Sequence, residues 1–196
     1  MILSNVAIHQ AIDAGDLAIT PEPLPRQNSL ANPDESPYAT TSVNLRLDSA
    51  LSIGDVKKPF CIDLRTKGIA QLLSQAYRPH VMDERGGFSL EPHLFVLGKT
   101  LETVTLPIRP ERPVYAARVE GRSSFARCGL LIHFTAPTIH AGWDGPITFE
   151  IMNLGPHPIM LFPKMQICQL IFETVQGTPL RADSQFQGQR TPAGTK

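Results

Sequence analysis

The sequence predicts a mainly β protein, folded as one sandwich or barrel with a few short helices. Three observations carry that prediction. From residue 88 onward short apolar alternations recur, in FSLEPHLFVLG, TLETVTLP, VYAARVE, LLIHFTA, ITFEIMN, IMLF and ICQLIFE, which is the period-two pattern of half-buried strands. Pro or Gly punctuates most of these runs, as compact all-β folds require. The 196 residues, 42% apolar and 18% charged, suit one soluble core, and no internal repeat divides them. Residues 1–182 are read as a single domain and 183–196 as a flexible tail.

The elements follow in order. Ser4 is placed to cap a short helix whose apolar positions Ile8, Ala11 and Ile12 keep helical spacing, and Gly15 ends it. Residues 20–40 read as a loop, because Pro21, Pro23, Pro25, Pro33 and Pro37 forbid a regular element. Thr41–Leu47 alternates, with Val43, Leu45 and Leu47 on one face, and reads as a strand. Gly68–Tyr77 reads as a second short helix. The strand-rich stretch begins at residue 88. The tail is polar and rich in Gln, Gly and Pro, with no apolar face. Alone it is expected to be disordered, and a ligand beneath it would order it as a lid.

Composition excludes several function classes. Lys+Arg and Asp+Glu both total 18, so the formal charge is zero. A nonspecific nucleic-acid binder carries a basic excess, so no nucleic-acid polymer is expected as partner, and any bound anion needs a local donor cluster. No apolar run approaches the length of a membrane span. The opening MILSNVAIHQAIDAGD lacks a basic n-region and a cleavage site. Cys61, Cys128 and Cys168 are odd in number and far apart, which fits a reducing cytoplasm. Phosphate loops, dinucleotide fingerprints and the H-x-E with P-C-x-x-C of zinc nucleobase deaminases are all missing. No zinc and no protein-held metal are therefore expected.

Three segments carry candidate chemistry. In Val119–Leu130 a strand ends at Gly121, and Ser123 and Ser124 open a helical turn flanked by Arg122 and Arg127. Such hydroxyls, free N–H groups and guanidinium forks suit phosphate oxygens. The same residues equally suit a Ser123 helix cap between solvated arginines. In Thr135–Ile151 a strand, a Gly-rich turn and a strand follow one another. Ile147, Phe149 and Ile151 share one face, while Thr148, Glu150 and Met152 share the other. A buried Glu150 would have a raised pKa and carry protons near neutral pH; a solvated one would do neither. In Ser184–Pro192 amides, an aromatic and an arginine suit either a nucleotide lid or an inert tail. His140 reads as a ligand, a base or a plain turn residue, and Trp143 as core or interface.

These segments together resemble the dCTP deaminase branch of the dCTP deaminase/dUTPase family. Ser42–Leu47 (SVNLRL) is similar to the family's S-V-D-L-R-L strand, with Asn44 for the aspartate. Phe60–Leu64 and Thr100–Pro107 are also similar to family segments. Gly121–Gly129 (GRSSFARCG), Gly142–Gly145 (GWDG) and Glu150 keep the family's order and separation. Phe186–Gln189 resembles its Y-Q-G-Q tail. The resemblance implies a homotrimer of distorted, dUTPase-like β barrels with active sites at the subunit contacts.

It also implies roles. Glu150 would relay protons while water attacks C4 of cytosine, with Ser123 and Arg127 positioning both. Arg122, Ser124 and Gln189 would hold the triphosphate, which carries Mg²⁺. Phe125, Ala126, Thr138, His140, Thr148, Phe149 and Gln169 would complete the substrate shell, and the backbone at Thr135 and Ala136 would read the base. The implied substrate is dCTP, the product dUTP, and dTTP an inhibitor. The family's I-D-P-G is Ile139–Gly142 (IHAG) here, so His140 stands where an aspartate faces the sugar. Leu180 and Gln185 replace an expected tyrosine and an expected basic residue. A dUTPase or bifunctional deaminase-diphosphatase is the first alternative, and a non-catalytic nucleotide-binding paralogue the second.

Overall fold

Ser4 accepts a hydrogen bond from the Ala7 N–H at 3.2 Å and caps helix α1 (Asn5–Asp13), whose Ile8 and Ala11 are buried. Gly15 turns the chain with a φ of 70°, as the sequence predicts. The computed structural model describes residues 1–29, 35–55, 61–65, 68–182 and 184–194. Pro33, Phe60, Asp183 and Lys196, named above, lie outside the described residues.

Twelve strands and two further helices follow among the described residues: β1 (Ala18–Thr20), β2 (Val43–Arg46), β3 (Ala50–Gly54), α2 (Ile69–Ala76), β4 (Tyr77–Val81), β5 (Phe88–Leu90), β6 (Phe95–Thr105), β7 (Tyr115–Gly121), α3 (Ser123–Ala126), β8 (Leu130–Leu131), β9 (Thr138–Ile139), β10 (Asp144–Asn153), β11 (Ile159–Leu161) and β12 (Gln166–Thr174). The fold is mainly β with few short helices, as predicted. The strands lie in three sheets, and none of them closes into a barrel. One runs β4-β3-β6-β10-β8 with β1 added on β6, a second β2-β12-β7-β9, and a third pairs β5 with β11.

The core lies where the apolar faces meet. Val96, Val104, Phe149 and Ile151 from the larger sheet and Val43, Leu45, Leu170 and Phe172 from the second sheet belong to one buried cluster. An ion pair ties the two sheets together inside it. Glu102 on β6 is fully buried and receives the Arg46 Nε at 2.6 Å and the Arg46 N–H at 2.9 Å. A buried carboxylate is tolerated only with such charge-assisted partners.

Four differences from the sequence reading have physical reasons. Strand β1 runs through Thr20, one residue into the stretch read as loop, and Pro21 follows it directly. β3 buries Leu51, Ser52 and Ile53 in succession, so it shows no alternation. β4 contains Pro79, which marks a non-strand in most settings, but β4 is an edge strand where a missing N–H costs nothing. The run FSLEPHLFVLG is two strands, broken where Leu94 N bonds back to the Glu91 carbonyl at 3.0 Å and His93 takes a φ of 63°. β6 then runs unbroken through Gly98, where a Cβ would stand 2.8 Å from Ile151 Cδ1.

Candidate active site

The outer face of the β6–β10 pair positions the central carboxylate. Glu150 lies opposite Leu97, Thr148 opposite Lys99 and Met152 opposite Phe95. Phe149 and Ile151 point into the core and are fully buried, so strand alternation turns Glu150 outward, as the sequence predicts. It is only partly exposed there. Glu150, Thr148, Leu97 and Phe95 line a cavity of about 840 Å³. Leu73 of α2, Tyr77 of β4, the turn from Thr138 to Trp143 and tail residues Phe186 and Gln189 complete its walls.

The lining is largely apolar. Among the described residues its ionisable side chains include Glu150 and His140 but no lysine or arginine. Burial therefore pushes the Glu150 carboxyl above the usual carboxylate range, against smaller opposing effects from the Phe134 N–H and His133. The Phe134 N–H donates to Glu150 Oε2 at 3.3 Å. The Phe134 and Phe95 rings meet edge to face at 5.6 Å, an apolar margin beside the carboxylate. Such a group can accept a proton and return it. Among the described residues no group of three or more His, Cys, Asp or Glu side chains is placed to hold a metal ion.

The tail packs over this cavity. The Gln189 amide is buried and donates to Thr148 Oγ1 and the Pro146 carbonyl. Gln187 donates to the Gly142 carbonyl at 3.1 Å, and the Gly188 N–H to the Asp144 carbonyl at 3.2 Å. Pro192, Ala193 and Gly194 are buried. The tail thus has a buried face that its polar composition does not announce. Trp143 packs against the core, donates to the Gly145 carbonyl at 3.0 Å and also lines the cavity. His140 is exposed at the rim, in the turn where its carbonyl accepts from Trp143 N at 3.2 Å.

The GRSSFARCG segment stands apart from this cavity. The cap of the four-residue helix α3 is Arg122, not Ser123, and no side chain caps it. Ser123, Ser124, Ala126 and Arg127 are exposed, and none of them lines the cavity. Gly129 follows with a φ of 92°, and a Cβ there would run into the Gly155 backbone. That close approach fixes the exit of α3 against the loop after β10. Arg122 donates to the Gln166 carbonyl at 3.0 Å. Thr135 and Ala136 are exposed on the loop before β9. Gln169 sits on β12 and donates to Ser42 Oγ at 3.4 Å, away from the cavity. Phe149 lies in the core, so only its backbone can meet a ligand.

Of the residues singled out from sequence, one chain therefore brings together Glu150, Thr138, His140, Thr148 and Gln189. It leaves Arg122, Ser123, Ser124, Phe125, Ala126, Arg127, Thr135, Ala136 and Gln169 outside the cavity. Sequence reading missed Phe95, Leu97, Leu73 and Tyr77. The signal for Phe95 and Leu97 is their alternation on β6, but their facing Glu150 depends on strand pairing.

Comparison with known proteins identifies the family. A family model described as dCTP deaminase-like matches residues 2–175. A relative from Coprothermobacter proteolyticus named dCTP deaminase, dUMP-forming, is 36% identical over 200 residues, covering 100% of this chain and 96% of its own. One from Rhodospirillum rubrum named dCTP deaminase is 37% identical over 177 residues, covering 89% and 83%. The crystal structure of 2′-deoxycytidine 5′-triphosphate deaminase from Agrobacterium tumefaciens superposes with a TM-score of 0.59 at 21% identity, over 87% of this chain and 47% of that one. This chain thus spans about half the length of that solved structure and shares its fold.

Proposed function

From a chain that belongs to the dCTP deaminase-like family, we propose an enzyme that hydrolyses dCTP to dUTP and ammonia with Glu150 as its proton carrier. One observation carries the reading: a partly buried carboxylate with a raised pKa, on the floor of a mostly apolar cavity whose described lining residues include no lysine or arginine. The Glu150 carboxylate takes a proton from water as the oxygen bonds to C4 of the cytosine. The carboxylic acid then returns that proton to the 4-amino nitrogen, the C–N bond breaks and ammonia leaves, while the water's second proton passes from the C4 hydroxyl to N3 and a carbonyl remains at C4. A single carboxyl group serves as base and then as acid, and burial strengthens its hold on the proton.

Charge requires more than this cavity supplies. A triphosphate needs cations or convergent N–H donors, and the candidates Arg122, Ser124 and Arg127 lie elsewhere on the chain. We place them in the site of a neighbouring copy, in a homotrimer. Ser123 and Arg127 of one copy then position the water and Glu150 of the next. Arg122 and Ser124 hold the phosphates, with Mg²⁺ travelling on the substrate. Gln189 completes the phosphate shell, the backbone at Phe125, Ala126, Thr135, Ala136 and Phe149 frames the nucleotide, and Thr138, His140 and Thr148 face its sugar side. dTTP, of similar shape, competes for the same place.

We end the reaction at dUTP, because the resemblance ties the further step to dUMP to an aspartate where this chain has His140. The second reading, release of dUMP, is favoured by the name of the Coprothermobacter relative. Incubation with dCTP and Mg²⁺ tests both. Ammonia with dUTP supports the proposal, ammonia with pyrophosphate and dUMP supports the second reading, and no ammonia overturns the assignment.

A further inference from the structure

Arg122 is held on two sides before any ligand arrives. Its guanidinium carbon stands 5.0 Å from the centroid of the Phe125 ring, over the ring face. Its Nη1 donates to the Gln166 carbonyl at 3.0 Å. The backbone makes this arrangement repeatable. Arg122 is the N-cap of α3, extended with φ −79° and ψ 128°. Its carbonyl receives the N–H groups of Phe125 at 3.0 Å and Ala126 at 2.9 Å. In a first helical turn the third residue's side chain reaches back toward the cap, the geometry a capping box uses with a glutamate. Here the third residue is an aromatic and the cap is a cation, so the contact is cation–π. Phe125 is itself partly buried against the core cluster. The Gln166 carbonyl is fixed by the β12–β2 pairing, whose register shifts between Gln166 and Cys168.

A guanidinium has five donors in a planar fork. One is committed to Gln166, and the π face on one side is covered by Phe125. The rest keep a preset orientation toward an anion. A free arginine loses rotamer freedom when it binds, at a cost to affinity; a braced one has already lost it.

We propose that Phe125 is a positioning residue that braces Arg122 for an anionic group of the substrate, the triphosphate on the reading above, on which this inference rests. The Phe125 side chain touches no reacting atom and acts only through Arg122.

A double-mutant cycle tests it. Phe125→Leu keeps apolar volume but removes the π face, and Phe125→Tyr keeps both. With dCTP, Phe125→Leu should raise KM about fivefold, within the range a partly desolvated cation–π contact supports, at nearly unchanged kcat. Phe125→Tyr should match the wild type. In an Arg122→Ala background Phe125→Leu should add nothing. Calorimetric binding of inorganic triphosphate to the same four proteins reads the contact without turnover. If the wild type binds triphosphate through a Phe125-dependent Arg122 yet deaminates nothing, the deaminase assignment falls and the brace stands. Equal triphosphate affinity for wild type and Phe125→Leu, or the same loss with and without Arg122, overturns the brace whatever the activity. Unchanged thermal melts across the set exclude misfolding as the cause.

Discussion

The side-chain amide of Gln189 donates to Thr148 Oγ1 at 2.8 Å and to the Pro146 carbonyl at 3.1 Å, linking residues 41 and 43 positions apart. Thr148 and Glu150 alternate on the outer face of β10. The tail is therefore latched to the strand that carries the candidate proton carrier, one strand step away from it.

Truncation before Phe186 removes this latch and one wall of the cavity. Two hydrogen bonds of ordinary net strength are worth about tenfold or more in affinity. We expect KM for dCTP to rise by at least about that factor, with far-ultraviolet circular dichroism unchanged, since the tail contributes no strand. An unchanged KM would show that the latch does not serve binding.

Glu150→Gln keeps the shape of the side chain and removes its proton chemistry. Turnover should fall by about 10²–10⁴, the usual weight of a general acid–base group, while dCTP binding persists. Stability should move the other way. Burial raises the Glu150 pKa, so its contribution favours the fold at low pH, where the carboxyl is protonated, and is lost as pH rises through the folded-state value. The variant should therefore melt at or above the wild-type temperature at pH 7.5, and the two should converge at acid pH. Melting curves at both pH values check the sign, and turnover near wild type would remove Glu150 from the mechanism.

Much of this was legible in the sequence, and the remainder has identifiable causes. Val43, Leu45 and Leu47 alternate, and all three are buried. Ile8 and Ala11 keep helical spacing and face the core behind a Ser4 cap. These signals are local. β3 was not legible because a strand buried on both faces shows no period. β4 was hidden by Pro79, whose tolerance depends on the strand lying at an edge. At the site, the outward turn of Glu150 follows from Ile147, Phe149 and Ile151. The burial that raises its pKa does not, because Leu97, Tyr77 and the tail approach from more than 35 positions away along the chain. Arg122 and Ser123 illustrate the converse: a serine beside a helix start suggests a cap, yet the arginine before it takes that place.

A homotrimer should appear by light scattering, with about three times the 21.5 kDa chain mass. Mixing provides a stricter test. Glu150→Gln and Arg127→Ala should each be nearly inactive alone. If each site draws Glu150 from one copy and Arg127 from another, an equal mixture that has exchanged subunits should recover about a quarter of wild-type activity, because half the chains supply each intact partner. A site contained in one chain predicts no recovery at all, and a monomer at micromolar concentration with full activity would contradict the assembly outright.

The last prediction concerns His140, the rim residue that departs from the family's aspartate. It faces the same cavity as Glu150. A neutral imidazole offers a single acceptor nitrogen to a sugar hydroxyl, and an imidazolium offers none. An aspartate offers two acceptor oxygens at the same place. If this side chain accepts from the sugar, His140→Asp should lower KM for dCTP, and His140→Phe, which offers no acceptor, should raise it, each at nearly unchanged kcat. KM for the three proteins at one pH decides it. Three equal values would mean that this side chain does not meet the sugar, and that the exposed turn between β9 and β10 serves only to shape the rim.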